Sequence, residues 1–126
     1  MARSFRELDV WKSGRTLRMK VSELCKKFPK AEQYLLVAQV KDSSRSVTAC
    51  IAEGHGRFHY QENIQFCRTS RGSLDETLDH LITAWDEKYI TTEEFKECKA
   101  LYEMTIKQLN GYISYLKTQK QKGNGD

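Results

Sequence analysis

The stretch ITTEEFKECKALYEMTIKQLNGYISYL, at residues 90–116, indicates the fold most clearly. Thr91 and Glu94 stand at the spacing of a capping box, in which each side chain bonds the other residue's backbone N–H at the start of a helix. Beyond them, apolar residues recur at intervals of three and four, which is the spacing of one helical face. The stretch therefore predicts a long helix over residues 92–120.

Three earlier segments carry the same apolar periodicity. They predict further helices at residues 4–28, 31–53 and 60–87. Ser4 and Glu7 are spaced to form a capping box at the start of the first helix. Pro29 follows its end, because the residue before a proline avoids the α region. Residues 120–126 have no apolar side chain, so we expect this tail to be disordered.

Long helices joined by short connections favour one all-α domain over residues 1–126, an antiparallel up-down-up-down four-helix bundle. A chain of 126 residues with 39% apolar and 30% charged residues suits such a domain. No apolar run approaches the roughly 20 residues that span a bilayer, and no secretory signal is visible. We therefore expect a cytoplasmic protein without membrane contact, with its four cysteines reduced.

Positive charge is concentrated near the start of the chain. Residues 1–30 hold nine Lys or Arg against three acids, a net of +6, whereas residues 60–88 hold three against six, a net of −3. On a helical wheel four of the cations share an arc of about 60° opposite the apolar face. They are Lys12, Arg15, Lys26 and Lys30. This stripe is either a phosphate-contacting surface or an ordinary solvated face.

A glycine-flanked loop, Glu53-Gly54-His55-Gly56-Arg57, precedes the third predicted helix. Such a loop before a helix N-terminus is able to cradle an anion. Alternatively it is a tight turn, with Gly54 just past the end of the second helix and the glycines at positive φ. In either case His55 and Arg57 are candidates for binding a partner, because loops often carry function.

The same region contains residue types that serve in metal binding and in acid–base chemistry. Four residues here are of types that bind metals, namely Cys50, His55, His59 and Cys67. Their spacing matches no zinc module, so we expect no metal and no other cofactor. Glu53 with the two histidines lacks an obvious nucleophile or substrate pocket. We therefore expect a protein that is not an enzyme.

Three neighbouring residues of the third segment are expected to have structural roles. The helical angle of Arg71 places it towards the core, where a guanidinium requires a carboxylate partner, and Glu53 is our first choice. Gly72 and Ser73 have small side chains and predict a close approach of two helices.

A set of short motifs resembles a known family. The motifs are Asp9-Val10-Trp11, Phe28-Pro29 with Glu32, Gln39, Ile51-Ala52-Glu53-Gly54 with Gly56-Arg57, and Gly72-Ser73 with Glu76. Their order and spacing over about residues 5–116 resemble the four-helix-bundle family of the 23S-rRNA intervening-sequence proteins. That family is related in fold to the accessory variability proteins of diversity-generating retroelements.

The resemblance implies an antiparallel four-helix bundle that assembles as a homopentameric ring. It carries over no catalytic residues. The retroelement relatives bind nucleic acid and associate with a reverse transcriptase. One interpretation is thus an accessory protein that binds nucleic acid, RNA being expected, with a reverse transcriptase and template RNA as partners. The other is an oligomeric scaffold, encoded by an rRNA intervening sequence, that binds protein partners only.

Overall fold

The computed structural model describes residues 2–123, and within that range it contains helices and turns but no β-strand. The described residues form four α-helices, namely α1 (Asp9–Cys25), α2 (Leu36–His55), α3 (Tyr60–Asp86) and α4 (Thr92–Gln121). Two short 3₁₀ turns precede α1 and α2, at Phe5–Glu7 and Lys30–Glu32. The predicted all-α class with four helices is confirmed.

The start of the first helix differs from the prediction. Ser4 Oγ accepts a hydrogen bond from the backbone N–H of Arg6 at 3.2 Å, so Ser4 caps the 3₁₀ turn instead of forming a capping box with Glu7. Leu8 then adopts an extended backbone (φ −73°, ψ 127°), which interrupts the helix, and α1 begins only at Asp9.

The junction between α1 and α2 is also longer than predicted. α1 ends at Cys25, because the chain tightens there into i→i+3 bonds such as Phe28 N–H to Cys25 O at 3.2 Å. The second helix, predicted from residue 31, begins at Leu36. Leu35 has a non-helical backbone (φ −117°, ψ −101°) that separates it from the preceding turn.

The bounds predicted for α3 and α4 agree with the structure to within one residue. The capping box at the start of α4 is confirmed. Thr91 Oγ1 accepts from the Glu94 N–H at 3.1 Å, and Glu94 Oε1 accepts from the Thr91 N–H at 2.8 Å. At the other end α4 continues through Gln121, into the predicted disordered tail, and residues 124–126 lie outside the described part of the chain.

All four helices contribute apolar side chains to one core. Leu17, Ile51, Leu74 and Leu109, one from each helix, are at most 1% exposed. Burial of a side chain of this size stabilises the fold by about 1.5–3 kcal/mol. The charged residues between them face outwards, and no described helix combines the length and apolar content that crossing a membrane requires.

The helices pack in a closed cycle of contacts, since α1 and α3 each contact both α2 and α4. Hydroxyl groups join α2 to α3 inside the protein. Ser43 Oγ and Thr77 Oγ1 lie 2.8 Å apart, and Ser70 Oγ donates to the Val47 carbonyl at 2.8 Å. Small hydroxyl side chains thus let these two helices approach closely while their polar groups remain bonded.

Candidate nucleic-acid interface

α1 turns a charged face away from the core. Val10 and Leu17 are buried at 3% and 1% exposure, because they occupy the apolar side of the helix. Lys12 and Arg15 point to the opposite side and are exposed, together with Met19 at 54%. The structure thus places both of these predicted cations at the surface.

Two other cations, Lys20 in α1 and Lys27 just after it, brace this part of the chain against α4. Lys20 Nζ lies 2.8 Å from Glu97 Oε2, and this hydrogen bond raises the pKa of Lys20. Lys27 Nζ lies 2.7 Å from Glu94 Oε1 and lowers the pKa of that carboxyl. These two lysines are therefore already neutralised within the protein.

Lys12 and Arg15 have no such partner, since no carboxylate among the described residues forms an ion pair with either. Both line a shallow depression of about 600 Å³ that also includes Arg6, Trp11 and one acid, Glu7. Cations outnumber the acid there by three to one. The depression is therefore a cationic surface that is accessible to an anion.

The helical wheel treats Lys26 and Lys30 as part of the first helix. In the structure neither residue lies on the α1 face. The helix has ended by Cys25, and Lys30 belongs to the separate 3₁₀ turn. Lys26 pairs with Glu23 at 3.0 Å, but both side chains are more than two-thirds exposed, so the pair is weak. Lys26 and Lys30 instead line an open groove of about 460 Å³, together with Lys41 of α2.

Sequence reasoning missed Lys41 and Tyr34, which lines the same groove. The second helix predicted from residue 31 includes Tyr34, whereas the observed helix starts at Leu36. A signal was available, because Tyr34 and Lys41 both stand outside the apolar periodicity that Leu36 and Val40 define.

Within the predicted partner-binding loop, Arg57 is held by carboxylates. Its guanidinium lies 3.2 Å from Glu53 Oε2 and 3.6 Å from Glu62 Oε2, so its charge joins the end of α2 to the start of α3. His55 Nε2 lies 3.3 Å from the Ala2 carbonyl oxygen. The loop is thus a braced helix-to-helix turn, in which the cation expected to meet a partner is engaged internally.

The two glycines of this turn act differently from the prediction. Gly54 is buried inside α2 and does not follow the end of the helix. A Cβ there would lie 2.6 Å from Asn63 Oδ1 and 2.9 Å from Phe66 Cβ, so α3 approaches too closely for a side chain. Gly56 caps the helix at φ −77°, and the expectation of a positive φ is wrong.

Arg71 does not pair with Glu53. Its Nη1 donates to Asn110 Oδ1 of α4 at 2.9 Å, while Glu53 pairs with Arg57. The predicted ion pair is wrong because Arg71 is only half-buried, and an amide oxygen accepts from its guanidinium.

The prediction of close helix approach is correct for Ser73 and wrong for Gly72. Ser73 is buried, and its Oγ donates to Ser46 Oγ of α2 at 2.9 Å. Gly72 is exposed, and a Cβ there would meet nothing within 4 Å. In α1, Gly14 is a glycine at a real contact, with Val47 and Thr48 each 3.2 Å from where its Cβ would be.

The thiols and histidines considered as metal ligands are not gathered at one point. Across residues 2–123, no three His, Cys, Asp or Glu residues are placed to hold a metal ion. Burial raises the pKa of Cys67 to about 12 and that of Cys98 to about 11, so both are neutral thiols. Cys50 Sγ lies 3.6 Å from Ser46 Oγ within its own helix.

Together these features define a small all-α protein of four helices, whose first helix and following turn expose unpaired cations. The chain belongs to the 23S rRNA-intervening sequence protein family, whose model matches residues 6–111. No individually curated protein matches it. The family resemblance carried by the short motifs is thereby confirmed.

Proposed function

We propose that this protein binds RNA without catalysing a reaction, through phosphate contacts from Lys12, Arg15, Lys26 and Lys30. The proposal rests on the observation that some cations near the start of the chain are paired with carboxylates, whereas others are not. Lys12, Arg15 and Lys30 are exposed and have no ion-pair partner among the described carboxylates. The resemblance to the retroelement accessory proteins, which bind nucleic acid, supports a nucleic acid as the ligand.

Unpaired cations are the ones that gain most from phosphate. A lysine already bonded to a carboxylate must give up that bond before it contacts RNA, whereas Lys12 and Arg15 give up only water and counterions. Release of condensed counterions from the RNA then drives association and makes it fall with salt. Contacts of this kind position a protein on the backbone and carry no sequence preference.

We propose further that the four helices run up-down-up-down and that five copies assemble into a ring. Short connections support the first point, since only residues 56–59 and 87–91 separate α2, α3 and α4. The family resemblance supports the second. Each copy would add its own cationic face, so that weak contacts combine by avidity. A stable monomer at micromolar concentration in light scattering would contradict the ring.

The cellular setting that we propose is cytoplasmic, with a reverse transcriptase and its template RNA as partners in a diversity-generating retroelement. The support is the fold relationship between the two families. If the proposal is correct, a reverse transcriptase encoded beside the gene will co-purify with the protein in an RNA-dependent manner. A gene located within an interrupted rRNA gene would count against this setting.

The binding proposal is tested by fluorescence anisotropy with a structured RNA at about 50 mM and about 200 mM salt. Four phosphate contacts per copy predict a loss of affinity of roughly 50- to 150-fold between these two conditions. The variant Lys12→Glu/Arg15→Glu/Lys30→Glu should abolish binding. The matched control Lys96→Glu/Lys99→Glu/Lys107→Glu changes the net charge equally on the exposed surface of α4 and should retain most of the affinity.

Equal losses in the two triple variants would mean that net charge, and not the α1 surface, governs binding. No binding by the wild-type protein at either salt concentration would overturn the proposal. The protein-binding scaffold would then be the better account, and protein partners would be the next search.

A further inference from the structure

The groove between the end of α1 and the start of α2 combines positive charge with an aromatic side chain. Lys26, Lys30 and Lys41 line it, and Phe28 and Val37 supply an apolar wall. Tyr34 is also part of the lining and is 87% exposed, more than any other large apolar or aromatic residue of the described chain. Cations and an accessible ring therefore occur within one groove.

A network of side chains fixes the floor of this groove. Phe28 is buried and packs against the Tyr89 ring at 5.5 Å between centroids. Tyr89 OH donates to Glu32 Oε2 at 2.8 Å, and Glu32 Oε1 accepts from the Leu36 N–H at 3.4 Å. The one acid of the 3₁₀ turn is thus engaged in holding α2 and the α3–α4 connection, away from the groove lining.

The backbone that carries Tyr34 is also held in place. Gln33 N–H donates to the Lys30 carbonyl at 3.1 Å, and Leu35 N–H donates to the Glu32 carbonyl at 3.0 Å. Tyr34 therefore projects from a hydrogen-bonded turn, so less conformational entropy is lost when its ring is covered. A single exposed aromatic residue is ordinary on a protein surface, and the lysines beside this one give it significance.

The positive charge of the groove and the exposed ring of Tyr34 together indicate which kind of ligand it binds. Proteins that hold single-stranded nucleic acid combine a positively charged groove with aromatic side chains on which bases stack. A duplex keeps its bases stacked on one another and offers the groove only its backbone. Lys30 and Lys41 have no described ion-pair partner, so both are available for phosphate.

We propose that this groove binds single-stranded RNA, with a base stacked on Tyr34 and the adjoining phosphates on Lys30 and Lys41. The inference rests on the proposed RNA binding and adds a preference for unpaired strands. The cations of α1 contact the backbone of either form of RNA, whereas Tyr34 acts only on a base that is free to leave its neighbours.

The test compares one oligonucleotide as a single strand and as a duplex, by anisotropy with the full-length protein. Tyr34→Ala should weaken single-strand binding by roughly 5- to 150-fold and leave duplex binding unchanged. Tyr34→Phe keeps the ring and should retain single-strand affinity. Tyr115→Ala removes another exposed ring, 44% accessible on α4, and should change neither affinity. Thermal unfolding confirms that each variant is folded.

Two results separate this inference from the proposed function. If the wild-type protein binds RNA and Tyr34→Ala affects neither form, or both forms equally, the groove inference is overturned while backbone binding stands. If no RNA binds at all, both are overturned. A change in oligomeric mass of Tyr34→Ala, measured by light scattering, would also overturn the inference, because the ring would then lie between copies of the chain.

Discussion

At the scale of single residues, Gly54 shows how closely two helices approach. Its Cα faces α3 so directly that a methyl group would collide with Phe66 Cβ and come within 3.2 Å of the Asn63 carbonyl oxygen. The Asn63 side chain is also engaged, because its Nδ2 donates to Tyr112 OH at 3.1 Å. The Asn63 side chain is therefore tied to α4, and the Phe66 contact is with a Cβ that moves only with the α3 backbone.

We therefore expect Gly54→Ala to lower the free energy of unfolding by about 1–2 kcal/mol, since overpacking outweighs the helix propensity of alanine. Gly72→Ala is the matched control, because it lies mid-helix in open space and should raise stability by about 0.5–1 kcal/mol. Urea unfolding measures both. Equal stabilisation by the two substitutions would show that α3 yields at Gly54.

The sequence predicted which side of a helix a residue lies on better than it predicted which residues contact one another. Periodicity correctly placed Lys12 and Arg15 on the outside, because an angle on one helix decides exposure. It failed for Gly72 and for the Arg71 partner, because contact with a second helix depends on how the two helices cross. Tyr34 was missed because its exposure depends on where α2 begins.

At the scale of elements, the start of α4 combines two interactions at one carboxylate. Glu94 completes the capping box with Thr91 and also accepts a hydrogen bond from Lys27, which follows the end of α1. The Lys27 contact is the largest cause of its lowered pKa, followed by the bond from the Thr91 backbone. The start of α4 thus also connects the last helix to the segment that follows the first helix.

The stability that the Glu94–Lys27 ion pair contributes should depend on pH in a defined direction. The pKa of Glu94 is lowered from its ordinary value of 4.5 in the folded state, so the ion pair stabilises the protein above about pH 4.5. Lys27→Met should cost about 0.5 kcal/mol there. The difference from wild type should vanish as pH falls through the lowered pKa, when Glu94 takes up a proton.

Urea unfolding of wild type and Lys27→Met between about pH 7 and pH 3 checks this expectation. Lys26→Met is the control, because its partner Glu23 lies within the same exposed stretch and its loss should be smaller. A difference between wild type and Lys27→Met that persists unchanged below the lowered pKa would contradict the assignment.

Some helix ends were predictable from the sequence and others were not, for a physical reason. The start of α4 was predictable because Thr91 and Glu94 form a local pair that requires nothing from the rest of the fold. The starts of α1 and α2 were not, because Leu8 and Leu35 leave the helical region in a way that composition does not indicate. Each is preceded by a 3₁₀ turn that mimics helical periodicity.

At the scale of the whole molecule, the ionisation of each cysteine depends on how deeply it is buried in the common core. Cys67 and Cys98 are fully buried, and with pKa values of about 12 and about 11 they hold at most about one thiolate in a thousand near pH 8. Cys25 is also buried, at 7% exposure, and burial raises its pKa as well. Cys50 is half-buried.

We expect Cys50 to react first with an aromatic disulfide reagent in the native protein. Cys67 and Cys98 should react only through unfolding, because the thiolate and access to it are both lacking. Mass spectrometry of peptides after timed labelling identifies each site. Equal rates at Cys50 and Cys67 would mean that α2 and α3 separate in the native state.

The pairing of α1 with α4 also has a consequence for the order in which the chain folds. Ser13 Oγ donates to Gln108 Oε1 across 95 positions of the chain, whereas Ser70 reaches Val47 across 23. Loop-closure entropy makes the longer link more costly by about 1 kcal/mol. In a refolding chain α2 and α3 should therefore join before α1 and α4 do, so that the contact between the first and last helices forms last.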